Sequence, residues 1–438
     1  MTNPKHRSGR SRVAIIGIGV LLLLGGIFIF SVLSRTSEVT TKLIELKQAG
    51  LPTSGAELND FYIVPSDAED TTKVWISACD RIKTQDFNSK VMELPILGRG
   101  GEVPPFDEEW TQLPEAKEAV EITLKTELEA VRQATKAGGR VRFPVDFKQG
   151  INTLLTNTQE MRTLARLLCL DAHVAAREND TERVLNDIRG VFAVSNALAE
   201  EPTLISQLVR IAVNNVAINL TLELVPYCEL NDQQLADLQR TISQADLKRS
   251  LFRAYVGERA IGLEAIENFS PAPFRADNKL LALNLYEGAI RNHNAAWSDI
   301  QEYQTASDSQ LRGLNSNVFS KMRYSAAALL LPSLSNTMTA FVRAEATKRT
   351  AILALAAMRQ KLNGGEYPES GSLPDSKFFE HADDATIDPF SDEPMLAAQD
   401  ETSLRYYSVG EDGIDNGGEI GETTSRARDT GFRLPLRN

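Results

Sequence analysis

Hydrophobic and polar positions along this chain follow three different patterns in succession. From residue 13 to 33 there is no alternation: VAIIGIGVLLLLGGIFIFSVL is uncharged throughout. Its 21 residues, at ~1.5 Å each, extend about 31 Å, which matches the hydrocarbon thickness of a bilayer. No later stretch predicts a second span. The apolar-rich segment 203–225 carries Gln207, Arg210, Asn214, Asn215, Asn219 and Glu223, and the run 326–334 is short and contains Pro332. Residues 37–48 predict a short polar helix, a stalk leaving the membrane.

A helical period then takes over. Residues 115–136 place Val120, Leu124, Leu128 and Val131 on one face and stop at Gly138-Gly139. Five helices follow: 154–177, then 181–199 running back antiparallel after an Asn179-Asp180 turn, 202–225, one capped by Asn231-Asp232, and 247–268. Ser270-Pro271-Ala272-Pro273 is a breaker. Beyond it the pattern predicts a helix over 277–305, a polar loop over 307–320, and a last long helix over 341–362. That helix has a narrow small-residue face of Val342, Ala346, Leu353, Ala356 and Ala357, and Asn363-Gly364-Gly365 ends it. After Tyr367 the third pattern begins, rich in Gly, Asp, Ser and Pro with short strand-like pieces such as 404–409.

Charge assigns these pieces to sides of a membrane. Lys5, Arg7, Arg10 and Arg12 precede the apolar run, which predicts a cytoplasmic N-terminus with everything after Arg35 outside. The rival reading is a cleaved signal peptide with Val32 and Ser34 as small-residue positions. An apolar region of that kind is typically about 7–15 residues, so a retained anchor is expected. Cys79 is the first cysteine, which excludes a lipoprotein, and no prepilin-type junction enters the run. The chain of 438 residues is 42% hydrophobic, enough for two or three folded units at roughly 100–200 residues each. Its net charge is −12. Residues after 34 carry 43 Lys/Arg against 59 Asp/Glu, or −16, which argues against nucleic acid as a partner.

Catalytic templates are missing. There is no H-E-x-x-H, G-x-S-x-G, P-loop or S-x-x-K. The glycines of LGRGGEVPPF have no strand leading into them and read as a loop. Cys169 and His173 lie four apart on one helix and could share a metal, but no further ligands are indicated, so a core cysteine and a packed histidine are expected. Cys79, Cys169 and Cys228 allow at most one disulfide. On the helix over 202–225, Gln207, Arg210, Asn214 and Thr221 fall within about 60° of one another, opposite Ile205, Val209, Ala212, Val216 and Leu220. This polar stripe is either a solvated face or a seam in which Arg210 pairs with Glu258 or Glu264.

Three resemblances add to these readings. RTLARLLCLDAHVAARENDTERVLNDIRGVFAVSNAL is similar to a tetratricopeptide hairpin. No period near 34 recurs, so a packed helical array is expected in place of a solenoid. VRFPVDFKQGINTLL, NDTERVLNDIRGVFAVSNALAEEPTLISQLVRIAV and the later GERA resemble an uncharacterised family of membrane-anchored helical bacterial proteins, which implies no activity. LAAMRQKLNGGEYPES, DPFSDEPM and YYSVGEDGIDNGGEIGE resemble the C-terminal part of type II secretion major pseudopilins. That likeness implies a small α+β unit with a calcium loop, held by the carbonyl of Val409, the side chain of Asp412, and Asp415 and Asp429. The loop's oxygen donors and glycines suit Ca²⁺. It is not an EF-hand, since the third and twelfth positions from Asp412 are Ile414 and Thr423.

The expected protein is mainly α. It has a cytoplasmic tail (1–12), a single transmembrane helix (13–33), a stalk and mixed helix/loop region (34–150), an antiparallel helical array (151–340) and a pseudopilin-like α+β domain (341–438). The expected role is non-enzymatic interaction or scaffolding at the envelope, through the lipid bilayer and protein partners. The alternatives are a component of a type II secretion or pilus-like assembly, and an envelope hydrolase with an unrecognised site.

Overall fold

α1 (Ser8–Gln48) is one helix in which the apolar run and the polar stretch expected as a separate stalk are continuous. No glycine or proline interrupts residues 27–48, so nothing breaks the helix where it leaves the apolar run. This computed structural model describes residues 8–106, 108–314, 317–331, 334–379, 383–420 and 429–436. Lys5 and Arg7 of the cationic flank lie outside the described residues.

Short helices follow: α2 (Gly55–Phe61), α3 (Thr72–Ile82), α4 (Gln85–Val91) and α5 (Leu113–Glu118). The helix expected over 115–136 is two, because a π-turn at Ala119–Thr123 separates α5 from α6 (Lys125–Ala137). There the Leu124 N–H reaches back five residues to the Ala119 carbonyl. The array itself is α7 (Thr158–Arg177), α8 (Thr181–Ala197), α9 (Leu204–Leu224), α10 (Asp232–Ser243) and α11 (Leu247–Phe269). Side-chain caps fix four of its starts. Asp180, Thr203, Asn231 and Asp246 each accept a first-turn backbone N–H, and Asn231 closes a full capping box with Gln234.

The helix expected over 277–305 breaks after Arg291 into α12 (Arg275–Arg291) and α13 (Trp297–Gly313). Much of the expected loop over 307–320 is therefore helical. α13 buries Trp297 and Ile300 in its first turns but Gln304, Ser307 and Asp308 later. A buried face that turns polar halfway along has no hydrophobic period to read. α14 (Val318–Arg323), α15 (Ser325–Leu330) and α16 (Leu334–Gly364) complete the helices. α16 stops as expected: Gly365 takes a φ of +83°, and its N–H bonds the Lys361 carbonyl.

α16 has no narrow face. Every side chain from Ala351 to Ala357 is buried, which makes it the central helix, packed by α9, α10 and α13 and by the C-terminal sheet. The sheet is antiparallel in the order β1 (Leu396–Gln399), β2 (Ser403–Ser408), β3 (Thr430–Pro435). Leu404 pairs with Leu434 in the β2–β3 register. Leu404, Tyr406 and Leu434 share one hydrophobic core with α7–α10 and the middle of α16. A second core joins α11, α12, α13, α15 and the polar half of α1. The expected boundary at 341 thus falls inside a helix that belongs to both the array and the sheet.

Candidate functional site

Four arrangements of side chains could carry function. The first is where α1 meets the body. Its large apolar side chains from Ile15 to Phe30, with Leu33, are 46–73% exposed, while Val39 and Leu46 are buried. The Arg35 guanidinium pairs with Asp277, which also takes two 2.8 Å bonds from Arg323. Lys42 Nζ lies 3.0 Å from Glu287. Both pairs join α1 to α12, and both sequence numbers rise together, so the two helices run parallel.

The second is a buried charge network between α6, α7 and α8. Asp171 and Asp187 are fully buried. Arg132 bonds both, and Arg183 holds Asp171. Burial, reinforced by the adjacent Asp171 carboxyl, holds Asp187 well above the usual carboxylate range. A cleft of about 560 Å³ opens beside them, lined by Arg132, Lys136, Arg183 and Arg189 with Asp180 and Glu182. Arginines face the cleft and the aspartates lie behind them, so the pair clamps three helices and is not offered to a substrate.

The third is the turn between α8 and α9, where Glu200 and Glu201 are both buried. Arg249 and Arg253 pair with Glu200 at 2.9 and 3.2 Å. Glu201 accepts the hydroxyls of Ser206 and, at 3.3 Å, Tyr62, whose oxygen in turn accepts the Phe143 N–H. Burial pushes the Glu201 carboxyl up to about 7. A Tyr–Glu–Ser chain has the components of acid–base chemistry, yet Tyr62 and Ser206 are fully buried and Glu201 is 2% exposed. It is a polar keystone closed to substrate.

The neighbouring stripe on α9 is a buried seam. Gln207, Arg210, Asn214 and Thr221 are buried, whereas Ile205 and Val216 on the opposite face are exposed. The partners of Arg210 are not the expected carboxylates. Its guanidinium bonds Ser250 Oγ at 2.5 Å and Asn196 Oδ1 at 3.4 Å. Glu258 instead accepts the Leu204 N–H and Glu264 the Gly55 N–H. Periodicity located this face; the choice of neutral partners came from helix positions that no local pattern encodes. Cys169 and His173 are buried as expected. Burial pushes the thiol up to about 12 and the imidazole down to about 4.

The fourth is the C-terminal loop. Asp415 Oδ1 accepts the Tyr407 hydroxyl at 3.2 Å and the Gly417 N–H at 2.7 Å. Asp429 accepts the N–H groups of Asn416 and Gly418. Burial raises the Asp429 pKa, and the nearby Asp415 charge adds to the effect. Asp412 caps its own turn at the Ile414 N–H, and the Val409 N–H is taken by Asp388. Asp415 and Asp429 thus both hold the backbone of residues 416–418, while Asp412 bonds within its own turn. Among the described residues no three His, Cys, Asp or Glu side chains converge as a metal site. Asp388 was missed by sequence reasoning. It is buried and ties Ser408, Val409 and Phe390 together, and the DPF turn that contains it was the available signal.

Compared with known protein families, curated proteins and solved structures, the chain matches none. What the geometry defines is a mainly helical protein whose N-terminal apolar helix is docked to the body by its own polar half.

Proposed function

We propose that this chain is a non-enzymatic scaffold held at the outer face of a bacterial inner membrane by a single retained helix. The observation that carries this reading is the two-part character of α1, with exposed apolar side chains up to Leu33 and an ion-paired, partly buried polar half from Arg35 onward. About 20 unpartnered apolar residues are stable in lipid and not in water. A helix unbroken between bilayer and body holds the body at a fixed height, as a scaffold requires. The acidic charge after residue 34 suits protein partners better than nucleic acid. The test is N-terminal sequencing of protein purified from membranes, together with a salt wash. The expected result is an intact N-terminus and no release. A mature start at Arg35, or release by salt, overturns the anchor.

A second reading, a component of a type II secretion or pilus-like assembly, draws support from one feature. α16 leads into a three-stranded antiparallel sheet that packs back on it, an arrangement compatible with the small α+β unit the pseudopilin resemblance implies. Under either reading we propose a weak calcium site on Asp415 and Asp429 with the Val409 carbonyl, without Asp412.

A further inference from the structure

The end of the body nearest the apolar run carries an unpartnered hydrophobic surface. α1 and α12 run parallel, with Arg35 paired to Asp277. Stepping from these residues toward the two N-termini therefore means stepping in one direction. Two residues along α1 lead to Leu33, the end of the apolar run. Three residues back from Asp277 lies Phe274, the residue just before α12, about 5 Å along the axis. Phe274 thus stands level with the point where α1 leaves the bilayer.

What surrounds Phe274 is apolar and exposed. Phe319 meets it edge-on, with ring centroids 6.2 Å apart and planes at 89°. On α14, Val318 is 84%, Phe319 56% and Met322 52% exposed, and Phe269 at the end of α11 is 62% exposed. Val318, Met322 and Phe319 lie within about 100° of one another around the helix, and Lys321 and Arg323 flank them, the layout of an interfacial segment. The position of α14 is fixed. Arg323 is bound to Asp277, the Arg323 carbonyl accepts from Asn278 Nδ2 at 2.7 Å, and Asn278 Oδ1 takes the Ala327 N–H at 2.9 Å. The same carboxylate, Asp277, so registers the exit of α1 and the seating of α14.

We propose that Phe269, Phe274, Val318, Phe319 and Met322 form a second membrane contact that dips into the headgroup–acyl boundary of the bilayer α1 crosses. The occupant of this surface is lipid. Its height is set by continuity with the anchor, and the exposed Lys321 on its flank suits the lipid phosphates, while Arg323 is spent on Asp277. The inference rests on the reading of α1 as a membrane span. Two contacts, a spanning helix and an interfacial patch, fix the tilt of the body as well as its height.

The test uses the full chain reconstituted in phosphatidylcholine vesicles, with bromine placed on the acyl chains either near the headgroup or near the bilayer centre. Trp75, Trp110 and Trp297 are buried in the body and serve as the background. Two variants are read against it: Phe319→Trp, a substitution on an exposed aromatic position, and Leu23→Trp in the apolar run. The expected result is that the emission added by Phe319→Trp shifts to the blue on reconstitution and is mostly lost with shallow bromine, while the emission added by Leu23→Trp is quenched most by deep bromine. Quenching in the Leu23→Trp variant with none in the Phe319→Trp variant overturns the patch and leaves the anchor standing. Absence of quenching at both positions overturns the anchor and the patch with it.

Discussion

Glu201 and His173 are buried groups whose protons oppose each other. Glu201 is lifted from 4.5 to about 7, so the fold favours its protonated form. Its contribution is fully present below pH 4.5 and is lost as pH rises toward 7. His173 is lowered from 6.5 to about 4, so the fold favours the neutral ring, and that contribution is lost as pH falls from 6.5 toward 4. At ~1.4 kcal/mol per pH unit each amounts to about 3 kcal/mol, and the two partly cancel in between. Urea unfolding should show Glu201→Gln gaining on the parent as pH rises from 4.5 to 7, and His173→Gln gaining as pH falls from 6.5 to 4. A constant difference between Glu201→Gln and the parent across that range would mean that the carboxyl ionises freely in the fold. Arg210 offers a different test. Burial lowers its pKa to about 10 and its bonded partners are neutral, so no buried carboxylate is stranded when it is removed. Arg210→Met should therefore leave stability within about 1 kcal/mol of the parent, where loss of one member of a buried ion pair costs ~3–5 kcal/mol. A melting temperature lowered by the larger amount would reveal a charged partner.

At the scale of elements, α11 passes close to the turn that precedes α9. A Cβ at Gly257 would lie 1.6 Å from the Pro202 carbonyl oxygen, backbone that belongs to the same turn as Glu200 and Glu201. Five residues on, a Cβ at Gly262 would meet nothing within 4 Å. Gly257→Ala should destabilise by several kcal/mol because a helix must move, while Gly262→Ala should be neutral or gain up to ~1 kcal/mol of helix propensity. Thermal melts of the two variants decide it, and equal melting temperatures would place α11 further from the turn. α9 shows why the helices were readable and their orientations were not. Its length and its polar stripe follow from the sequence, but the stripe faces inward because Ser250, Asn196 and the 198–201 carbonyls offer it bonds. α13 and α16 escaped for related reasons. The first buries polar residues, and the second is buried all round, so neither shows the one-sided pattern that marks a surface helix.

At the scale of the whole molecule, the C-terminal part is joined to the rest through α16, which lies in one core with α9, α10 and the sheet. A calcium measurement therefore needs the full chain. Extracellular calcium modules bind at ~10⁻⁴–10⁻³ M, and a ligand at ~100 times its dissociation constant adds about 2.7 kcal/mol to a fold that alone binds it. Millimolar Ca²⁺ should raise the melting temperature by a few degrees over chelator, Asp415→Asn should abolish the rise, and Asp412→Ala should keep it. Identical melts with calcium and chelator would retire the ion and leave Asp415 and Asp429 as ties for the loop backbone.

The sequence alone determined the features whose physics is local. A 21-residue uncharged run can be recognised without any neighbour. Helix starts at Asp180 and Asn231 are side-chain caps within three residues, and the stops at Gly138 and Gly365 are single backbone angles. Of the candidate calcium ligands, the stretch from Val409 to Asp415 was legible as a run of oxygen donors. Which of them converge was not, since Asp429 approaches from another strand. Tertiary structure decided everything that depends on residues distant in the chain: the docking of α1 on α12, the neutral partners of Arg210, the enclosure of α16, and the sealed carboxyl of Glu201. In each case the deciding energy is a desolvation or a bond between groups on different elements, and that is set only once the elements have packed.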